Sequence, residues 1–123
     1  MSWPWKSFSP QEVACPCCGE IYNDVISMNA LQEVRDIIGK PILLNSAHRC
    51  GIHNAKVGGA PMSMHKKIAF DISLRNHDKY ELLEACKRAG FKGYGYYQTF
   101  LHVDMGRPRF WYSGNIARQL WNG

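Results

Sequence analysis

The residues in this chain best suited to chemistry sit on two segments that alternate like strands. In Ile68-Ala-Phe-Asp-Ile-Ser73 the alternation places Ile68, Phe70 and Ile72 on one face and Ala69, Asp71 and Ser73 on the other. Phe100 to Met105 repeats the pattern, with Leu101, Val103 and Met105 inward and His102 and Asp104 outward. His65 stands six residues before Asp71, at the mouth of a long loop. Two imidazoles and a carboxylate are a metal-binding set. Two His and one carboxylate, with a fourth position left to water, is a usual catalytic zinc composition, in which the metal lowers the pKa of that water to about 7. A histidine beside a strand is more often a hydrogen-bonded structural residue, so spacing alone leaves both readings open.

The cysteines offer a second chemistry. There are five, which by parity excludes a full disulfide framework, and three are crowded into Cys15-Pro16-Cys17-Cys18-Gly19. Cys15 and Cys18 have the spacing and trailing glycine of half a zinc knuckle, but a second Cys-x-x-Cys is missing. A second, structural zinc is therefore not expected at this cluster. A reduced turn, or one disulfide from the cluster to Cys50, is expected instead.

The elements that must position these residues can be read from caps and periodicity. Ser9-Pro10-Gln11-Glu12 is a capping box with Pro at the first helical position, opening a short helix that the cysteine turn ends. Leu31, Val34, Ile37 and Ile38 recur at helical spacing before Gly39, predicting a helix over 27–38. Ile42-Leu43-Leu44 reads as a short buried strand, and Ser46 to Met64 as an aperiodic stretch of the length that usually carries function. Asp78 and Glu81 cap a helix ended by Gly90; two strands follow, Phe91 to Tyr97 and Phe100 to Met105, and a last helix runs from Asn115 to Trp121. Helices around a mostly antiparallel sheet make an α+β domain, and no linker or repeat divides residues 1–123.

At 123 residues and 46% hydrophobic content the chain can bury a core without help from metals or disulfides, so a bound metal would serve function. No apolar run approaches the ~18 residues of a membrane helix, so membrane insertion is not expected. Met1-Ser2-Trp3-Pro4-Trp5-Lys6 lacks the apolar stretch of a secretory signal, so synthesis in the cytoplasm is expected. The net charge of +5 favours polyanionic partners. Its basic residues come as scattered pairs, Lys66-Lys67, Lys87-Arg88 and Arg107-Pro-Arg109, which read as solvated surface, so nucleic acid is not an expected partner.

Ser46-Ala-His-Arg49, His53-Asn54, Val57-Gly58-Gly59-Ala60, Ser63-Met-His65, Ala69-Phe70-Asp71-Ile72 and His102-Val-Asp104 together resemble the zinc D-Ala-D-Ala carboxypeptidase family, in its short phage and prophage branch. The resemblance spans roughly residues 8–106, from Phe8-Ser9-Pro10 through the cysteine turn. It implies a fold shared with Hedgehog signalling domains and a zinc peptidase acting on bacterial peptidoglycan peptides, as a carboxypeptidase or as an endolysin-type endopeptidase. It further implies His65, Asp71 and His102 as ligands of one zinc ion. Arg49, from the family's Ser-x-x-Arg motif with Ser46, would stabilise the oxyanion. Ser63 would orient a ligand from behind, and Tyr97 and Gln98 would contact substrate. His53 and Asn54 would shape the loop; His48 and His77 would do neither. Such a protein would act at the cell wall, as a lysis enzyme or attached to a virion.

Two departures from the family pattern stand out. Relatives write His-x-x-Gly-x-Ala-x-Asp, seven positions from His to Asp, whereas this chain has six and no glycine, so the difference must be absorbed at Lys66-Lys67-Ile68. Many relatives also carry a Glu or Asp general base three positions before the last ligand, where this chain has Thr99. Asp104, about 6.6 Å along the strand from His102, then either takes the proton from water or orients a neighbouring group. Both departures suit an alternative: a homologue without turnover that serves as a virion structural or wall-binding protein.

Overall fold

Side-chain caps set where the helices begin. In the computed structural model, which describes residues 3–21, 24–59, 63–66 and 68–122, the Glu12 carboxylate accepts from the Ser9 amide at 2.9 Å, and Pro10 opens helix α1 (Pro10–Val13). Helix α2 (Val25–Ile38) buries Met28, Leu31 and Val34 and stops at Gly39. Helix α4 (Lys79–Ala89) starts where Asp78 accepts from the amides of Tyr80 and Glu81, and ends at Gly90. Between them lies the short helix α3 (Gly51–Lys56), inside the stretch that showed no periodicity. Six residues that bury only Asn54 cannot write a helical repeat into the sequence.

The strands are β1 (Leu44–Ser46), β2 (Phe70–Ser73), β3 (Gly93–Tyr96), β4 (Phe100–Asp104) and β5 (Arg109–Tyr112), and helix α5 (Gly114–Asn122) follows. β1 lies later than the apolar run Ile42-Leu43-Leu44 suggested. Ile42 is buried in the core ahead of the sheet, Leu43 is exposed, and pairing begins only at Leu44. β5 is an addition: the sequence suggests only solvated surface at Arg107-Pro-Arg109, yet Arg109 opens a strand running parallel to β3. The sheet order is β1-β2-β4-β3-β5, antiparallel except for that last pair, so the fold is α+β with a mixed sheet.

The parity of the strands divides the sheet into two faces. Phe70, Ile72, Leu101 and Val103 join Met28, Leu31, Val34, Leu82 and Cys86 in one buried cluster beneath α2 and α4. The opposite face carries the chemistry. Its register forms a row across all five strands, Ser46 opposite Asp71, Asp71 opposite His102, His102 opposite Gly95, and Gly95 opposite Trp111. A second, shorter row joins Asp104, Gly93 and Arg109. In β1 the register shifts between Leu44 and Ser46, a bulge that sets Ser46 against Asp71.

Candidate active site

His65 rides on a single 3-10 turn, Met64–Lys66, that delivers it to the row of Asp71 and His102. Its Nδ1 meets the Ala47 carbonyl, and a carbonyl only accepts, so Nδ1 holds the proton and Nε2 presents a lone pair. That Nε2 lies 3.1 Å from Asp71 Oδ1. With the shortened His-to-Asp interval His65 still reaches Asp71; of the segment expected to absorb the difference, Lys67 lies outside the described residues.

His102 is fixed the same way from the other side. Its Nε2 is 2.7 Å from Asp104 Oδ2, and its Nδ1 is 3.0 Å from the same Asp71 oxygen. Burial works against ionising Asp104, but its bonds to His102, Arg109 and the Gly106 amide outweigh that and hold it far below the usual carboxylate range. An ionised carboxylate accepts, so Nε2 of His102 carries a proton, and in the neutral imidazole Nδ1 is the bare nitrogen. Three electron-rich atoms therefore converge, Nε2 of His65, Nδ1 of His102 and Oδ1 of Asp71, all within 4.8 Å of one another. Without a cation the arrangement must borrow extra protons. Burial lowers the His102 pKa, yet hydrogen bonds to Asp104 and Asp71 prevail and raise it; for Asp71, bonds to His102 and His65 overcome burial and bring it to about 2. A divalent cation satisfies all three atoms at once, and a carbonyl or carboxylate behind each ligand imidazole is the usual support for a metal site.

Asp104 lies behind His102. Its side chain is fully buried, and both oxygens are engaged: Arg109 donates to Oδ1 at 2.8 Å and to Oδ2 at 2.7 Å, and the Gly106 amide donates to Oδ1 at 2.9 Å. Sequence reasoning missed Arg109 and also Trp111, whose ring lies 5.0 Å from that of His102. A signal for both was present in Gly93-Tyr-Gly-Tyr96, since glycine inside a strand marks close approach. A Cβ on Gly93 would fall 2.1 Å from an Arg109 nitrogen, and one on Gly95 would fall 2.5 Å from the Trp111 ring. The two bare positions let β5 side chains lean across β3 to reach β4.

The three converging residues floor a cleft of about 570 Å³ whose walls include Arg49, Ser63, Tyr97 and Trp111. Ser63 Oγ accepts from Arg49 at 3.3 Å and from the His65 amide at 3.2 Å, and the Arg49 amide donates to the His65 carbonyl at 2.6 Å. Arg49 forms no ion pair among the described residues, and its buried Nε has no partner there. Tyr97 stacks on Phe100 at 4.2 Å. Two expected contributors fall elsewhere. Ser46 borders the neighbouring cleft that it shares with Arg49 and His53, and Gln98, one step past Tyr97, turns to a different hollow beside His77 and Trp121. His48 pairs with Glu20 at 2.7 Å.

A family model described as Peptidase M15 matches residues 6–104. The chain belongs to the Peptidase M15 family. Among curated proteins none matches it. The Peptidase M15 match contains His65, Asp71, His102, Asp104, Arg49 and Ser63, and it ends before Arg109 and Trp111. Peptidases M15 are zinc-dependent, and the donor set in this Peptidase M15 chain, two imidazoles and a carboxylate, is one that zinc accepts.

Proposed function

We propose that this chain is a zinc peptidase that hydrolyses peptides of the bacterial cell wall. The observation that carries the reading is the convergence of His65 Nε2, Asp71 Oδ1 and His102 Nδ1 in a cleft beside Arg49, which forms no ion pair among the described residues. Zinc held by these three residues would supply a Lewis acid and a water of lowered pKa. The rest falls to the chain itself. Arg49, steadied by Ser63, presents a fixed guanidinium to a peptide carboxylate or to the oxygen of a carbonyl under attack. Asp104 keeps the proton on Nε2 of His102 and so keeps Nδ1 open to the metal. Trp111 and Tyr97 wall the cleft. The motifs shared with D-Ala-D-Ala carboxypeptidases support peptidoglycan as the substrate, and the excess positive charge suits an anionic envelope. A phage or prophage lysis enzyme is the setting that resemblance favours.

One observation favours a second reading, a wall-binding or virion protein without turnover. Asp71 is the only carboxylate among the described residues lining the cleft, and Thr99 stands where relatives place a base. The two readings separate in one experiment. Purified wild-type protein and His102→Ala are assayed for zinc and for cleavage of defined muropeptides. A cleavage product in the wild type, and loss in the variant of that product and of one zinc equivalent, is the expected result. A zinc equivalent that the variant loses, without any product from the wild type, supports the binding role, and equal zinc content in wild type and variant overturns the metal site.

A further inference from the structure

The cysteine turn acquires in three dimensions the partner it lacked in sequence. Cys15, Cys17, Cys18 and Cys50 bring their four sulfurs within 4.8 Å of one another. Cys17 and Cys50 are 3.4 Å apart and Cys15 and Cys17 are 3.7 Å apart. A tetrahedron of sulfurs around zinc at about 2.3 Å has edges of about 3.8 Å, whereas a disulfide needs about 2.05 Å and uses only two of the four atoms. The backbone is shaped for the same end. Gly19 adopts φ 77°, and the turn closes twice, by the Gly19 amide on the Cys15 carbonyl and by the Cys15 amide on the Glu20 carbonyl, each at 2.8 Å. An amide also serves a sulfur directly: that of His53 donates to Cys50 at 3.4 Å.

We propose that Cys15, Cys17, Cys18 and Cys50 form a second, closed zinc site that clamps the N-terminal turn to the loop carrying Arg49. This inference does not depend on the peptidase reading. The second Cys-x-x-Cys of a knuckle pair is replaced by a single cysteine, Cys50, that tertiary structure delivers, together with Cys17 inside the turn. Four protein sulfurs leave no position for water, so the site is structural. Its place in the fold gives it a consequence. Cys50 follows Arg49 directly, the Arg49 amide holds the His65 carbonyl, and Ala47 supplies the carbonyl behind His65. Securing Cys50 to the turn therefore secures the strand end from which Arg49 and the support of His65 are offered. Cys86 is buried in α4 as part of the core and takes no part.

The test uses the full chain, purified under reducing conditions, and reads metal rather than activity. Wild type is expected to hold two zinc equivalents. His65→Ala/His102→Ala is expected to keep one, and adding Cys17→Ser/Cys50→Ser to remove it. Because the cysteine variants could unfold, the decisive measurement is cobalt loading of His65→Ala/His102→Ala with all cysteines intact. Near-ultraviolet thiolate-to-cobalt charge-transfer bands, with the intense visible bands of tetrahedral cobalt, are expected, and should persist in Cys86→Ser. A wild type with one zinc, all of it lost in the histidine variant, overturns the proposal. So does a histidine variant that gives no thiolate bands and carries a Cys17–Cys50 disulfide.

Discussion

Asp104 is the residue at which sequence and geometry press on different roles. From its strand face it could have served as proton acceptor, and in the fold it grips His102, Arg109 and the Gly106 amide at once. Asp104→Asn separates the roles. As an orienting residue its loss should weaken zinc binding about 10- to 100-fold, read by competition with a chelator. As the proton acceptor its loss would leave affinity intact and abolish turnover alone. Arg49→Lys keeps the charge and forfeits the planar fork, and kcat/KM for a muropeptide should fall on the order of 100-fold while zinc content stays unchanged. An unaltered kcat/KM would remove Arg49 from the proposed chemistry. The three convergent residues were legible beforehand because strand parity placed Asp71 and His102 on one face and family spacing pointed to His65. Arg109 and Trp111 were not: the glycines of β3 signal a close approach, but the parallel register that decides which side chains approach is written in no local pattern.

Among the elements, β3 is the one whose composition the site dictates. Replacing glycine by alanine inside a strand ordinarily gains about 0.5–1 kcal/mol, yet Gly93→Ala and Gly95→Ala should each cost about 1–3 kcal/mol, as overpacking does. Urea denaturation reads the cost, and Gly93→Ala should also loosen zinc, since its new methyl would press on both Asp104 and Arg109. Asp78→Ala is the contrasting case. Losing that cap should cost about 1 kcal/mol and leave zinc affinity alone. Helices α1, α2, α4 and α5 were legible in the sequence to within a few residues because caps and glycine stops are local chemistry, whereas α3, short and burying only Asn54, was not. The strands were less so. Ile42 is apolar because it fills the core rather than because it pairs, and Arg109-Phe-Trp-Tyr112 has the half-buried, unalternating pattern of an edge.

For the molecule as a whole, metal and protons should pull stability in opposite directions. In metal-free protein the lowered pKa values of Asp71 and Asp104 contribute stability that is present above the usual carboxylate value of about 3.9 and lost as pH falls, for Asp71 through about 2. The raised pKa of His102 contributes stability that is present below about 6.5 and lost as pH climbs through its elevated value. Chelator-treated protein should therefore be most stable in mild acid, between about pH 4 and 6.5. Zinc needs the bare Nδ1, so the metal-loaded protein should gain stability as pH rises through that same point. Urea melts at several pH values, with and without chelator, should diverge on the alkaline side; parallel profiles would mean that His102 is not a ligand. No helix among the described residues is long and apolar enough to cross a membrane. The bulge in β1 bears on how copies of this molecule meet in concentrated solution. A sheet margin only three residues long and broken in register offers a poor template for a foreign strand. The irregularity that sets Ser46 against Asp71 thereby also guards that margin of the sheet against edge-to-edge aggregation.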